Sequence, residues 1–154
     1  MRRAIDILVA DDSDQDVEIT LHALRRVVAE AAIMRVKDGE QALQFLLAAG
    51  GYAGRKAGMP QLLLLDMQMP ALDGLQVLEA LRSRPATREL PIVLFSSSSN
   101  PALIERAMAL GASDYRVKPD GFQEYCAEVE QIARTWLLAQ PVTAKDVARG
   151  NYRN

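Results

Sequence analysis

One cysteine, one histidine and one tryptophan in 154 residues exclude more chemistry than they permit. Cys126 stands alone, so there is no internal disulfide and no cysteine-rich metal site, which suits a reducing compartment. The single His22, close to Arg25 and Arg26 on a predicted helix, cannot build a conventional metal centre or a triad and reads as a solvated face residue. Long apolar runs are missing too. Nothing approaches the roughly 20 residues needed to span a bilayer, and Met1-Arg2-Arg3-Ala4 leads into strand-like sequence without a signal-type apolar region. A soluble, cytoplasmic protein without a membrane partner is expected. An excess of one charge is also lacking: 18 basic residues face 20 acidic ones, net −2, with no basic block. That argues against nucleic acid bound by bulk electrostatics. What is present is 49% hydrophobic residues, enough for one core of ordinary domain size and no second full domain.

The four leucines 62–65, preceded by Met59-Pro60 and closed by Asp66, Pro70 and Gly74, read as a short strand buried on both faces. Around it, short apolar runs alternate with amphipathic ones. Residues 5–10 form a strand ending in Asp11-Asp12-Ser13-Asp14, polar residues suited to cap a helix with Val17, Leu21, Leu24 and Val28 on its inner face. Residues 31–36 form a weaker strand, and residues 39–49 a helix burying Ala42, Leu43, Leu46 and Leu47. The glycine-rich stretch 50–60 is long for such a connection and is expected to be an exposed, mobile loop. A helix over 74–82, a strand over 92–95, a helix from Pro101 to the stop at Gly111 with Ile104, Ala107 and Met108 inside, and a strand over 113–117 follow. The last helix, 122–138, is expected to bury Phe122, Tyr125, Val129, Ile132 and Trp136, and residues 141–154 form a polar tail without periodicity.

Five strands each followed by a helix make a (βα)5 pattern. Right-handed crossovers turn it into an α/β, doubly wound parallel sheet of the flavodoxin-like kind, strand order 2-1-3-4-5. In that order strands one and three are neighbours where the winding reverses, and ligands collect at the carboxyl ends of strands at such a point. Asp11, Asp12 and Asp66 would crowd there. Like charges at that spacing call for a cation, and an all-oxygen acidic site open to water suits Mg2+, with Mn2+ as an alternative, better than zinc. Ser96 and Lys118 end strands four and five, adding a hydrogen-bond donor and a positive charge suited to a phosphoryl oxygen.

In these residues the chain resembles the receiver domains of two-component response regulators. The resemblance rests on Asp11-Asp12, on Asp66-Met67-Gln68-Met69-Pro70 with Asp73-Gly74, on Ser96, on Gly111-Ala112-Ser113-Asp114-Tyr115 and on Lys118-Pro119. It implies Asp66 as phosphoacceptor, and Asp12, Asp66 and the Gln68 main-chain carbonyl as metal ligands, with Asp11 acting through water. It implies that Ser96 binds the phosphoryl group, that Lys118 pairs with it, and that Tyr115 is an aromatic switch whose ring enters space vacated by Ser96. A cis Lys118–Pro119 bond is common in the family. Asp120-Gly121 stands where relatives often carry an aromatic residue.

The domain expectation is therefore a receiver over 1–140 and a tail over 141–154 without a separate output domain. The implied protein is a phosphoacceptor signalling protein and not an enzyme in the usual sense, although it assists its own phosphorylation and dephosphorylation. It would be charged by a sensor histidine kinase and read by a downstream protein target or phosphotransfer protein. The long loop before strand three and the Trp136-Leu137-Leu138 ending look similar to single-domain regulators that partner phytochrome-type kinases. Three apolar residues in succession sweep about 200° of a helix, so one of them must reach the surface, and a homodimer contact there is expected. Two alternatives stay open. A small aspartyl-phosphate hydrolase would want a second carboxylate where Gln68 stands. An adaptor that no longer accepts phosphate would have no use for the intact set of acids, hydroxyl and ammonium.

Overall fold

The structure is a computed structural model that describes residues 5–55 and 58–138. Strands and helices alternate along it: β1 (Ile7–Ala10), α1 (Asp14–Val27), β2 (Ile33–Val36), α2 (Gly39–Leu46), β3 (Leu62–Leu65), α3 (Gly74–Arg82), β4 (Ile92–Ser96), α4 (Pro101–Ala109), β5 (Asp114–Val117) and α5 (Phe122–Ala133). Every pairing is parallel and the order is β2-β1-β3-β4-β5. This is the flavodoxin-like doubly wound sheet.

Because successive strand residues face opposite ways, the continuous apolar runs divide between two cores. Leu8, Leu63, Leu65 and Leu94 pack with Leu78 and Leu81 of α3 and Phe45 and Leu46 of α2. Ile7, Leu62, Leu64, Val93 and Phe95 pack with Leu24 of α1 and Tyr125, Val129 and Ile132 of α5. The leucines of β3 are 0–3% exposed, and truncating any of them to alanine would cost about 2–5 kcal/mol. With both faces covered, only the strand ends are left for polar chemistry.

Local signals set the helix starts. Ser13, Asp38, Asp73 and Asn100 each accept a first-turn N–H, and Asp73 with Gln76 closes a capping box. Gly74 admits a close approach that a side chain would block. A Cβ there would meet the carbonyl oxygen of Asp66 at 2.5 Å and Cα of Met67 at 2.9 Å. Helix α3 is thereby seated directly against the backbone that carries Asp66.

Several expectations are corrected. Phe122 is 58% exposed and Met108 44%, so neither belongs to its helix's buried stripe; at a helix start the first residue has no preceding turn to lie on, and on α4 only Ala107 is fully buried. Leu137 joins the inner face of α5 as its buried residue, with Trp136 partly buried against the same core, because residues Arg134–Leu138 form a π turn whose extra residue carries the stripe from i+4 to i+5 beyond Ile132. The loop after α2 is anchored rather than loose over its first part. Gly50–Tyr52 makes a 3-10 turn, Tyr52 packs edge-on to Phe45 at 5.3 Å, and the Arg55 guanidinium lies 4.2 Å over the same ring. Arg55 also donates to the carbonyls of Phe45 (2.7 Å) and Leu46 (3.4 Å), satisfying the open end of α2. No peptide bond among the described residues is cis, so Lys118–Pro119 is trans, the isomer X–Pro bonds favour by about 0.5–1 kcal/mol. The tail expected over 141–154 lies outside the described residues. Among the described residues no helix is long and apolar enough to cross a membrane.

Candidate functional site

The carboxyl ends of β1, β3, β4 and β5 deliver the polar residues to one edge. Asp11 and Asp12 follow β1, Asp66 follows β3, Ser96 closes β4, and Lys118 follows β5. Registry does this: Ala10 pairs with Leu65 and Ser96 with Val117, so each functional residue lies at its strand's end or within two steps beyond it.

Asp11, Asp12 and Asp66 each offer a carboxylate oxygen within 4.8 Å of the others, graded from buried Asp11 through half-buried Asp66 to exposed Asp12. The sheet edge brings these three negative charges together, and the single Lys118 ammonium offsets only part of them. Burial pushes the Asp66 carboxyl up, the Lys118 ammonium pulls it down, the Asp11 charge pushes it up again, and the N–H groups of Gln68 and Met67 pull it down; the balance stands at about 6. A hard, oxygen-seeking divalent cation fits this donor set, since it would meet three anionic oxygens of which the outermost is open to water. An open cleft of about 500 Å³ leads in, lined among others by Asp12, Gln68, Met69, Ser96 and Ser98.

Lys118 sits inside rather than at the rim, its side chain 8% exposed. It donates to Asp11 Oδ2 at 2.8 Å and to Asp16 Oδ2 at 2.9 Å, and stands 3.6 Å from Asp66 Oδ1. Burial by itself would lower the ammonium, but the hydrogen bonds to Asp11 and Asp16 and the charges of Asp11 and Asp66 outweigh it and hold Lys118 above the ordinary lysine range. Its main-chain N–H donates to the Ser96 carbonyl at 2.6 Å, tying the two strand ends. The Ser96 hydroxyl is 2% exposed and accepts the Ser98 N–H at 3.2 Å, which leaves its own proton to donate.

Gln68 is exposed in the β3–α3 loop. Tyr115 is not on the surface: it is 8% exposed, and its hydroxyl donates to the Ser98 carbonyl at 2.8 Å. The Ser98 carbonyl is an inward polar acceptor that holds the phenol where an apolar ring alone would be free to turn out.

Two residues escaped sequence reasoning. Asp16 reaches Lys118 from the first turn of α1, and Arg35 on β2 braces the acidic loop from behind. Arg35 Nε donates to the Asp11 carbonyl at 2.9 Å and Nη1 pairs with Asp14 at 2.8 Å, while its buried Nη2 has no hydrogen-bond partner among the described residues. Its hydrogen bond, with help from Lys37, holds the Asp14 carboxyl below the usual range. The spacing of Ser13 and Asp16 signals only a helix start, and an arginine in a weak strand signals nothing.

Comparison with known proteins agrees with this geometry. The family described as response regulator receiver domain matches residues 7–130. The chain is 30% identical over 132 residues to the probable methanogenesis regulatory protein FilR2 of Methanothrix harundinacea (strain 6Ac), covering 85% of this chain and 83% of that one. Among solved structures it resembles the phosphorylated cyanobacterial phytochrome response regulator RcpA, with a TM-score of 0.82, 28% identity, and coverage of 90% of this chain and 98% of that one. The Mn2+-bound form of response regulator Rcp1 is similar at a TM-score of 0.81 and 26% identity, covering 90% of this chain and 98% of that one.

Proposed function

We propose, from the premise that this chain belongs to the response regulator receiver domain family, that it accepts a phosphoryl group on Asp66 from a sensor histidine kinase. The observation that carries this is the convergence of Asp66 with a buried ammonium, a buried hydroxyl and two further carboxylates at one sheet edge. An Asp66 oxygen attacks the phosphorus of a kinase phosphohistidine. The new O–P bond forms as the N–P bond breaks, and its electron pair returns to the imidazole nitrogen. With Asp66 balanced at about 6, the carboxylate is mostly ionised above neutral pH and ready as a nucleophile. In this reading the Lys118 ammonium and the Ser96 hydroxyl meet the phosphoryl oxygens, and positioning with charge stabilisation is most of what such a transfer requires. Asp12, Asp66 and the Gln68 carbonyl, with Asp11 through water, would hold Mg2+ or Mn2+. When bound, that ion supplies charge neutralisation on the transferring group.

The product adds negative charge beside Asp11 and Asp12. In our reading Ser96 turns to hydrogen-bond it, which shifts Ser98 and the hydrogen bond that Ser98 accepts from Tyr115. The output is then the surface of α4, β5 and α5, where Met108, Val117 and Phe122 are exposed apolar side chains. A downstream protein or phosphotransfer partner would dock there. Similarity to RcpA, described as a phytochrome response regulator, supports a phytochrome-type kinase as donor. It also supports residues 1–140 working as a receiver. An exposed neutral Gln68 supplies no acid or base, which favours a phosphoacceptor over a phosphate hydrolase.

The test is incubation with acetyl phosphate and Mg2+, followed by intact-mass spectrometry. The parent gains one phosphoryl group and Asp66→Asn gains none. Unchanged Mg2+-dependent labelling of Asp66→Asn refutes the assignment, and turnover of a generic phosphate ester would favour the hydrolase.

A further inference from the structure

Ser13 and Asp16 have the spacing of a capping box, yet only half of it forms. The Asp16 N–H donates to Ser13 Oγ at 3.2 Å, but the Ser13 N–H donates to Asp11 Oδ1 at 2.9 Å instead of to Asp16. The Asp16 carboxylate is thereby released from local duty and crosses from α1 to the segment after β5, where it takes the Lys118 ammonium at 2.9 Å. Lys118 is thus held on the α1 side of the site by two close carboxylates and lies beyond hydrogen-bond range of Asp66, at 3.6 Å. Phosphoryl acceptance as read above needs Asp11, Asp12 and Asp66; the Asp16 carboxylate on Lys118 has no part in it.

We propose that Asp16 is a positioning residue that holds the Lys118 ammonium back from Asp66, so that a phosphoryl group on Asp66 must draw Lys118 off Asp16, and this restraint limits the stability of the phosphorylated state. The inference rests on Asp66 being the phosphoacceptor. Two effects act in the same direction. The carboxylate competes with phosphoryl oxygens for the same N–H donors, and its charge repels the added negative charge in a partly desolvated setting. Removing it does not set Lys118 adrift, because Asp11 still grips the ammonium at 2.8 Å. Nor does it loosen α1, since the hold of α5 on this turn runs through the backbone and Thr20: the Tyr125 hydroxyl lies 3.4 Å from the Asp16 carbonyl and 2.9 Å from Thr20 Oγ1.

The experiment measures binding of beryllofluoride, a phosphoryl mimic, with Mg2+ by fluorine NMR in the parent, Asp16→Asn and Asp16→Glu. Asp16→Asn is expected to bind about five- to tenfold more tightly, which corresponds to ~1–1.4 kcal/mol. Asp16→Glu, which restores the charge, is expected to return toward the parent value. A second readout needs neither variant nor metal: the nitrogen-15 ammonium signal of Lys118 in the metal-free parent should exchange with water more slowly than that of Lys37, whose side chain is 63% exposed. Equal or weaker beryllofluoride binding by Asp16→Asn, or a Lys118 signal exchanging as fast as that of Lys37, overturns the restraint. A parent that binds no beryllofluoride at all overturns the phosphoacceptor reading, and the restraint with it.

Discussion

Replacing Asp66 by asparagine should make the metal-free protein more stable, not less. The carboxylate is 11% exposed, lies in the acidic cluster with Asp11 and Asp12, and is pushed up to about 6 from its ordinary 3.8. Between these two values the folded chain binds more protons at this residue than the unfolded chain does. Stability from this group therefore falls as pH rises through that window, and the full cost is present above about 6. The gap corresponds to ~3 kcal/mol at 1.36 kcal/mol per pH unit. Water reaching the open side of the carboxylate screens this to about 1–2 kcal/mol. Asparagine keeps the volume and removes the charge, so Asp66→Asn in chelator at pH 7.5 should melt about 2–6 °C higher than the parent. Near pH 5 the difference should fall by roughly half, as the parent takes up its proton. Mg2+ should close the gap from the other side, stabilising the parent by ~1.4 kcal/mol at ten times its dissociation constant and the variant far less. Calorimetry across pH, with and without Mg2+, reads all of this. A variant less stable than the parent at pH 7.5 in chelator, or equal stabilisation of both proteins by Mg2+, would refute the reasoning.

Further outcomes follow from other contacts. Gly74→Ala forces a Cβ to within 2.5 Å of the Asp66 carbonyl, which should cost about 1–3 kcal/mol in urea unfolding. The same change should slow labelling by acetyl phosphate, because the displaced backbone carries the nucleophile; a normal rate would break the link between α3 seating and the site. Gln68 and Ser98 both line the cleft, so Gln68→Ala and Ser98→Ala should change the half-life of the acyl phosphate, followed by mass spectrometry, and decay of both at the parent rate would remove them from the path of the attacking water. Leu138 is 53% exposed beside half-buried Trp136, and we expect a homodimer contact there. Light scattering should show a dimer in the parent and its loss in Leu138→Asp; a dimer unaffected by Leu138→Asp and Trp136→Ala moves the interface elsewhere.

The order of the sheet and the edge that carries the chemistry were legible in the sequence. Four leucines closed by an aspartate leave little choice, since a strand buried on both faces can place its first polar residue only at its end. The same reasoning located Asp11, Asp12, Ser96 and Lys118 through short-range patterns repeated at each strand. Contacts between elements distant in sequence decided the rest. Asp16 meets Lys118 across 102 positions, and Tyr115 of β5 meets the Ser98 carbonyl across the 17 positions that hold α4. Arg35 reaches the Asp11 backbone only because β1 and β2 are paired. A π turn brought Leu137 into the inner face of α5 beside the partly buried Trp136. Periodicity reports which face of an element is apolar. It does not report where a long polar side chain finds its partner, because that choice is made after packing has excluded water and left each buried charge to find the nearest opposite one.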